Sequence, residues 1–330
     1  MDILEILRTA LQQALGPQAI VFALLAIGLN VHFGYTGLLN FGQAGFALVS
    51  AYGLAVTVVT FGAPFWLGLI VAMIAPLVLA VILGLPTLRL RADYLAIVTI
   101  AAAEILRFVA GAVETKDVFG GSNGLSGFAG PFQAANPYSK GVDLGIVAFR
   151  RDDLWSLTVG WALVAVCCVL VWALMRSPWG RVLRSIREDE DAVRSLGKNV
   201  FAYKMQALAL GGLLGGLGGL FLALKQASVV PTNYATLMTF YAFAALLLGG
   251  AARVLGPVIG AILFWFLIAG LGSFFRQSAG ADGWIPTVIM TDTQASLIRY
   301  IVLGLAIILL MIFRPQGIFG DRREIAIDER

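Results

Sequence analysis

"SPWGRVLRSIREDEDAVRSLGKNVFAYKMQALAL", Ser177 to Leu210, changes character twice within one stretch. Pro178, Trp179 and Gly180 make a turn, a mixture of charged and apolar residues follows as far as Gly197, and from Met205 the chain turns apolar. In the middle part Val182, Leu183, Ile186, Ala192, Val193 and Leu196 recur at spacings of one, three and four. Arg181, Arg184, Arg187, Glu188, Asp189, Glu190, Asp191 and Arg194 fill the positions between them. That spacing predicts a single short amphipathic helix over 181–196, stopped by Gly197. Basic residues would let such a helix lie on lipid headgroups. The acidic run from Glu188 to Asp191 is repelled by anionic lipid, so a protein partner fits the helix better. Ile186 and Leu196 are expected to enter a groove on that partner.

Outward from this stretch the chain is apolar. It is 330 residues long, 59% hydrophobic and 13% charged, with a mean hydropathy of +0.89. Soluble globular domains do not reach these values. Several apolar runs approach the ~20 residues that span a bilayer. They lie at about 17–33, 38–61, 64–85, 92–112, 154–175, 204–224, 236–250, 256–275 and 296–313. The expected fold is therefore all-α and polytopic, one transmembrane domain over 1–330 with about nine hydrophobic segments. The run at 236–250 is short, and Gly256-Pro257 stops what precedes it, so this segment is re-entrant or tilted and broken. The N-terminal sequence "MDILEILRTALQQALG" has acids near its start and no basic region ahead of an apolar core, so it does not read as a cleavable signal peptide.

The net charge of +4 is explained by topology rather than by nucleic acid. With residues 176–204 in the cytoplasm and the segments alternating, fourteen of the 23 basic residues fall inside and eight outside, with Arg107 left in the membrane. Arg89, Arg91, Arg253, Arg314, Arg322, Arg323 and Arg330 belong to the inner set. This places the N-terminus outside and the C-terminus in the cytoplasm. The hydrophilic stretch 113–153, with "GGSNGLSGFAGPF" and "NPYSK", becomes an extracytoplasmic insertion of ordered turns.

Within the membrane three features stand out. "HFGYTGLLNFGQAGF", His32 to Phe46, interrupts apolar sequence with four glycines and with Tyr35, Asn40 and Gln43. Exposed backbone and amides there must be satisfied by protein or by water in a cavity, as in the broken helices of transporters. Asn40 and Gln43 are expected on one helix face, three residues apart. Glu104 and Arg107 lie in the fourth segment, where Asp93, Ile97, Ile100, Glu104, Arg107 and Gly111 share a sector of roughly 80° at 100° per residue. A charge facing lipid at the bilayer centre costs about 2.5–3.5 kcal/mol, so this stripe is expected to face protein or water. Pairing within the fold and lining of a translocation route both remain open for these residues. In the sixth segment Gly211, Gly215 and Gly219 form a small-residue stripe suited to close helix packing. Cys167 and Cys168 are adjacent in an apolar run and read as core residues. His32 is the only histidine, so no multi-histidine metal centre is expected.

The blocks "GYTGLLNFGQAGF", "LPTLRLRADYLAIVTIAAAEILR", "GRVLRSIREDEDAVRSLGKNVFAYKMQALAL" and "FRPQGIFG" resemble, in this order, the permease subunits of ABC importers for hydrophobic amino acids. The likeness covers most of residues 20–320 and is nearest to the M-type branched-chain amino acid permeases, with urea permeases as neighbours. Alanines at 101–103 depart from it, where glycine and a bulkier residue are expected before Glu104. The resemblance implies a multi-pass permease in a prokaryotic cell membrane. It also implies an H-type second permease subunit, two ATPase subunits and an extracytoplasmic substrate-binding protein, with residues 176–204 as the cytoplasmic coupling loop. ATP and Mg are then held by the ATPase partners, and this chain carries no cofactor and no catalytic residue. The sequence contains no G-x-x-x-x-G-K-[ST] phosphate loop, since Gly197-Lys198 is followed by Asn199 without the upstream glycine. Two other classes compete with this reading. An ion-coupled secondary transporter needs no ATPase, and a membrane transferase could use Asp189 and Asp191 as a metal pair.

Overall fold

The computed structural model describes residues 3–88, 92–143, 148–279, 292–314 and 316–320. Arg89, Arg91, Arg322, Arg323, Arg330 and the side chain of Asp93, all used above, lie outside the described residues. The helices are α1 (Ile3–Ala14), α2 (Pro17–Leu29, continued by a wider π-helical turn to Tyr35), α3 (Gln43–Ala55, continued likewise to Thr60), α4 (Phe65–Thr87) and α5 (Ala92–Gly111). After two short helices, α6 (Lys116–Phe119) and α7 (Gly130–Ala134), come α8 (Arg151–Arg176), α9 (Pro178–Glu188) and α10 (Glu190–Ser195). The chain ends in α11 (Val200–Gln226), α12 (Thr236–Gly249), α13 (Gly256–Ala279) and α14 (Asp292–Phe313). Among the described residues seven helices are long and apolar enough to cross a membrane. Thr236–Gly249 and the described apolar part of α14, Leu297–Phe313, are shorter.

Two helices form the axis of the bundle. The apolar window of α2 is 89% buried and that of α11 is 78%, against 28% for α5. The contact is possible because α11 presents a wall of glycines. A Cβ on Gly211 would lie 2.6 Å from the carbonyl oxygen of Gly28 in α2, and one on Gly219 only 2.2 Å from that of Ala47 in α3. Lipid tails give apolar helices no incentive to associate, so backbones that approach this closely supply the packing. α4 and α5 lie on the α3 side, and α12, α13 and α14 on the other, with α1 along α13 and α8 against α2. α1 is an element that the sequence reading passed over. In α4, Pro76 cannot donate to the carbonyl of Ala72 one turn back. Ser50 of α3 fills the vacancy, its hydroxyl donating to Ala72 O at 2.7 Å.

Two breaks interrupt this helical pattern. Residues 37–42 have no regular structure although all are buried or half-buried, and α3 starts only at Gln43 rather than near 38. The second break, 227–235, begins at Ala227 in the left-handed region (φ 52°) and carries β4 (Ser228–Val229). β4 pairs antiparallel with β1 (Leu125–Ser126), tying the break to the 113–153 insertion. A second pair in that insertion, β2 (Val142–Asp143) with β3 (Ala148–Phe149), is also antiparallel. At the far end of α12 the last carbonyls find donors in the C-terminal segment, Ile318 N to Leu248 O at 3.1 Å and Phe319 N to Gly249 O at 3.3 Å.

Candidate functional site

The first break is closed by a buried network of amides and imidazole. Asn40 Nδ2 lies 3.0 Å from His32 Nδ1 and donates to Gln43 Oε1 at 3.0 Å. Gln43 Nε2 donates to Gly211 O at 3.0 Å, and His32 Nε2 sits 3.0 Å from Leu208 O. A carbonyl only accepts, so His32 carries its proton on Nε2 and receives the Asn40 amide on Nδ1. Asn40 Oδ1 takes the backbone N–H of Gly42, while Thr99 Oγ1 takes that of Phe41 and Thr239 Oγ1 that of Ala44. The orphan donors at the start of α3 are thus met by side chains from α5 and α12. Asn40 and Gln43 do meet, but not on a helix face: Asn40 stands in the irregular stretch ahead of Gln43. His32, Asn40, Gln43, Thr99 and Thr239 are all fully buried. Asn30, two residues before His32, donates to Arg253 O at 2.8 Å and accepts from Ala252 N at 2.8 Å. Asn30, Thr99 and Thr239 were missed, although a lone amide or hydroxyl in an apolar run is the signal for such a clamp.

The second break ends on a charge pair. Arg107 Nη2 lies 2.7 Å from Glu104 Oε2, and Arg107 Nε donates to the same oxygen at 2.8 Å. Glu104 Oε1 accepts the backbone N–H of Thr236 at 3.1 Å and also its hydroxyl. The carboxylate therefore caps the first turn of α12, where the helix dipole favours negative charge. The pair is partly open, its side chains being 21% and 29% exposed. The helix face it shares is not the one expected. α5 buries Leu95, Thr99, Ala103 and Ala110, while Ile97 is exposed and Glu104 and Arg107 sit at the edge, because the carboxylate must reach sideways to α12. Ala103 packs against Gly45, whose added Cβ would meet that of Ala103 at 3.0 Å, so this alanine serves the α3–α5 contact, while Ala101 is exposed.

Between Ser177 and Gly197 the expected single helix is two. Asp189 takes an extended conformation (φ −154°, ψ 104°) and its Oδ1 accepts from Asp191 N at 3.0 Å and Ala192 N at 2.9 Å, so it caps α10. A carboxylate in a run of four acids acted as an N-cap, a competing use that periodicity does not reveal. The apolar positions divide in consequence. Leu183, Ile186 and Val193 are buried against the chain itself, whereas Leu196 is 78% exposed and Ala192 is exposed. Arg194 pairs with Glu190 at 2.8 Å and with Asp191 at 2.9 Å, Arg187 with Glu188 at 3.0 Å, and Lys204 also meets Glu190. Arg187 Nη1 donates to Gly34 O at 2.5 Å, linking α9 to the start of the first break. Arg184 lies over the ring of Tyr35, 5.8 Å from its centroid. Arg181 and Gly197 are exposed, Gly197 with φ 76° where only glycine is unstrained. The glycine stripe of Gly211, Gly215 and Gly219 is occupied within the chain, by Gly28 and His32, by Gln43 and by Ala47 respectively.

Residues 15–312 match the family model described as the branched-chain amino acid transport system permease component. The chain belongs to this family. The permease is 28% identical over 316 residues to the high-affinity branched-chain amino acid transport system permease protein LivM of Salmonella typhimurium, covering 92% of this chain and 68% of that one. It is 24% identical to the probable LivM of Methanocaldococcus jannaschii, over 92% of this chain and 91% of the other. The probable LivH of the same archaeon is 26% identical, over 80% and 81% of the two chains. With seven full-length apolar helices among the described residues, the permease is a multi-pass membrane transport protein.

Proposed function

We propose that this permease forms half of the translocation pore of an ATP-driven importer for branched-chain or other hydrophobic amino acids. An H-type permease supplies the other half, two ATPase subunits dock at α9 and α10, and an extracytoplasmic binding protein delivers the substrate. ATP and Mg reside on the ATPases. The observation that carries the reading is the contact of Arg187 with Gly34 O, because it joins an exposed, charged helix pair to a break in the membrane helices. A shift of α9 on nucleotide binding is thereby passed to residues 34–43. In this reading Glu104 and Arg107 border the route, and Tyr35, Asn40 and Gln43 hold its wall in place. The ends that carry α9 and the C-terminus face the cytoplasm.

The test is reconstitution of this chain with an H-type permease, two ATPases and a binding protein from the same organism. ATP-dependent uptake of leucine, isoleucine or valine into vesicles is expected, with urea as the competing substrate. Uptake that proceeds on an ion gradient without ATPases overturns the proposal. Single cysteines at the exposed positions Lys140 and Ser195, with Cys167 and Cys168 replaced by alanine, should label from opposite sides of the membrane. Labelling of both by an impermeant reagent in intact cells refutes the orientation.

A further inference from the structure

At the end of α2 remote from the contact of Arg187 with Gly34, a cavity of about 340 Å³ opens between α1, α13 and α14, with Gln18 and Tyr241 at its sides. Among the described residues three buried side-chain polar atoms have no hydrogen-bond partner, and two of them, Trp265 Nε1 and Arg299 Nε, belong to residues that line this cavity. Both side chains are held in place. Trp265 packs on Phe22 of α2, their ring centroids 5.3 Å apart. Arg299 crosses α13 at Gly272, where an added Cβ would stand 2.7 Å from Nη1, and its Nη2 donates to Tyr300 Oη at 2.9 Å. Arg276 is a second guanidinium on the lining, and no carboxylate lines the cavity among the described residues. Glu5 of α1 stays outside it, accepting from Gln277 Nε2 at 3.4 Å.

An ionisable side chain in a membrane helix is costly and marks a functional place, and Arg299 stands in the apolar stretch Leu297–Phe313. Buried donors are almost always paired, so two orphans facing one cavity call for a common partner. Indole and guanidinium nitrogens only donate, which makes that partner an acceptor, and two arginines make it an anion. The arginine fork matches the two oxygens of a carboxylate. The cavity is at the small end of the range for small-molecule sites, and Ile268, Ala269 and the ring of Tyr241 supply apolar wall. We infer that this cavity binds a small carboxylate with a short hydrocarbon chain, the chemistry of a free hydrophobic amino acid. The carboxylate is taken by Arg299 Nε and Trp265 Nε1 with Arg276 adding charge, and the hydrocarbon lies along Ile268 and Ala269. The match to the cargo rests on the proposed function, whereas the requirement for a carboxylate does not. None of these residues belongs to the first break or to the α9–α10 pair, so the site is separate from the coupling path.

The full chain, purified in neutral detergent, is titrated by calorimetry with 4-methylpentanoate and L-leucine and with their amides, 4-methylpentanamide and L-leucinamide. Both carboxylates are expected to bind at least tenfold more tightly than their amides. Arg299→Gln should weaken binding at least tenfold, and Trp265→Phe, which keeps an aromatic ring but removes the donor, severalfold. Arg150→Gln, an exposed arginine just before α8, should leave binding unchanged. If Arg299→Gln does not fold, Arg276→Gln, at an exposed residue, combined with Trp265→Phe should still weaken binding at least tenfold. Equal binding of acid and amide overturns the inference, as does binding unchanged in the variants. Displacement of 4-methylpentanoate by phosphatidylglycerol but not by phosphatidylcholine overturns it too, since the cavity then holds a lipid headgroup. Carboxylate binding without ATP-driven uptake supports the site and sinks the importer reading, and uptake without such binding does the reverse.

Discussion

The two breaks solve one problem in different ways. Irregular backbone at membrane depth is tolerated only where protein buries it or water reaches it. In the first, residues 37–42, burial is the answer: His32, Asn40 and Gln43 are fully covered and bonded to one another and to carbonyls of α11. In the second, 227–235, the backbone leans on a β-pair and a carboxylate, and Leu237 and Phe240 just beyond it remain 55% and 46% exposed. The difference separates a sealed joint from an open edge. It also separates their wiring, since only the first break is joined to α9, through Arg187 and Gly34.

The largest effect is expected where the joint meets the glycine wall. A Cβ at Gly219 would stand 2.2 to 2.5 Å from three backbone atoms of Ala47, so Gly219→Ala must push α11 from α3. Overpacking of this kind costs about 1–3 kcal/mol or more, and against rigid backbone the upper end applies. Little folded protein should be recovered after detergent extraction. Gly304→Ala, with nothing within 4 Å of the new Cβ, is the control and should extract normally. If both variants extract alike, the axis of the bundle does not depend on glycine contact.

Next comes the seal itself. Asn40→Leu keeps the branched shape but strands the Gly42 N–H, the Gln43 side-chain oxygen and His32 Nδ1, each orphaned group costing about 1–3 kcal/mol. A lowered melting temperature is the expected outcome. A melting curve unchanged from wild type would mean that water replaces the amide, and the joint is then as open as the second break.

The seal shows what the sequence let one read. Hydropathy placed the nine segments, because a lipid-facing helix must be apolar along its whole length, and the shortness of 236–250 was visible in its fourteen-residue helix. Gly34 to Gly45 marked the break, since glycine and amides in a greasy run have few other uses. What bonds across it was illegible: Thr99 and Thr239 are 58 and 195 residues from the N–H groups they cap. Such partners depend on how helices pack, which no local pattern encodes. The same holds for Glu104, whose spacing to Arg107 showed an ion pair while its reach to Thr236, 132 residues on, did not appear. The break at Asp189 was hidden by a helix-compatible run on both sides.

At the open edge the effect should be smaller and separable. Glu104→Gln removes the partner of Arg107 but leaves an oxygen for the Thr236 N–H. Losing one member of a buried pair costs about 3–5 kcal/mol, whereas exposed pairs contribute about 1 kcal/mol or less. Partial exposure puts this pair between them, at roughly 1–2 kcal/mol. Adding Arg107→Gln should restore assembly. Normal assembly with lost uptake in the double variant places both residues on the route, and recovery of both measures makes the pair purely structural.

The smallest effect on the fold, and the sharpest test of the wiring, lies at Leu196. Its side chain is 78% exposed at the tip of α10, so Leu196→Asp should change stability by no more than about 0.5 kcal/mol. Ile186, 4% exposed, is the opposite case: Ile186→Asp buries a charge against the chain's own core and should prevent folding, so it cannot report on docking. If α9 and α10 carry the motion of the ATPases to the first break, an unperturbed permease bearing Leu196→Asp should bind them more weakly and lose most ATP-dependent uptake. Arg187→Gln should keep ATPase binding yet uncouple hydrolysis from uptake, because docking survives while the link to Gly34 is cut. Full uptake in both variants would detach the helix pair from the sealed joint and leave the second break as the part that moves.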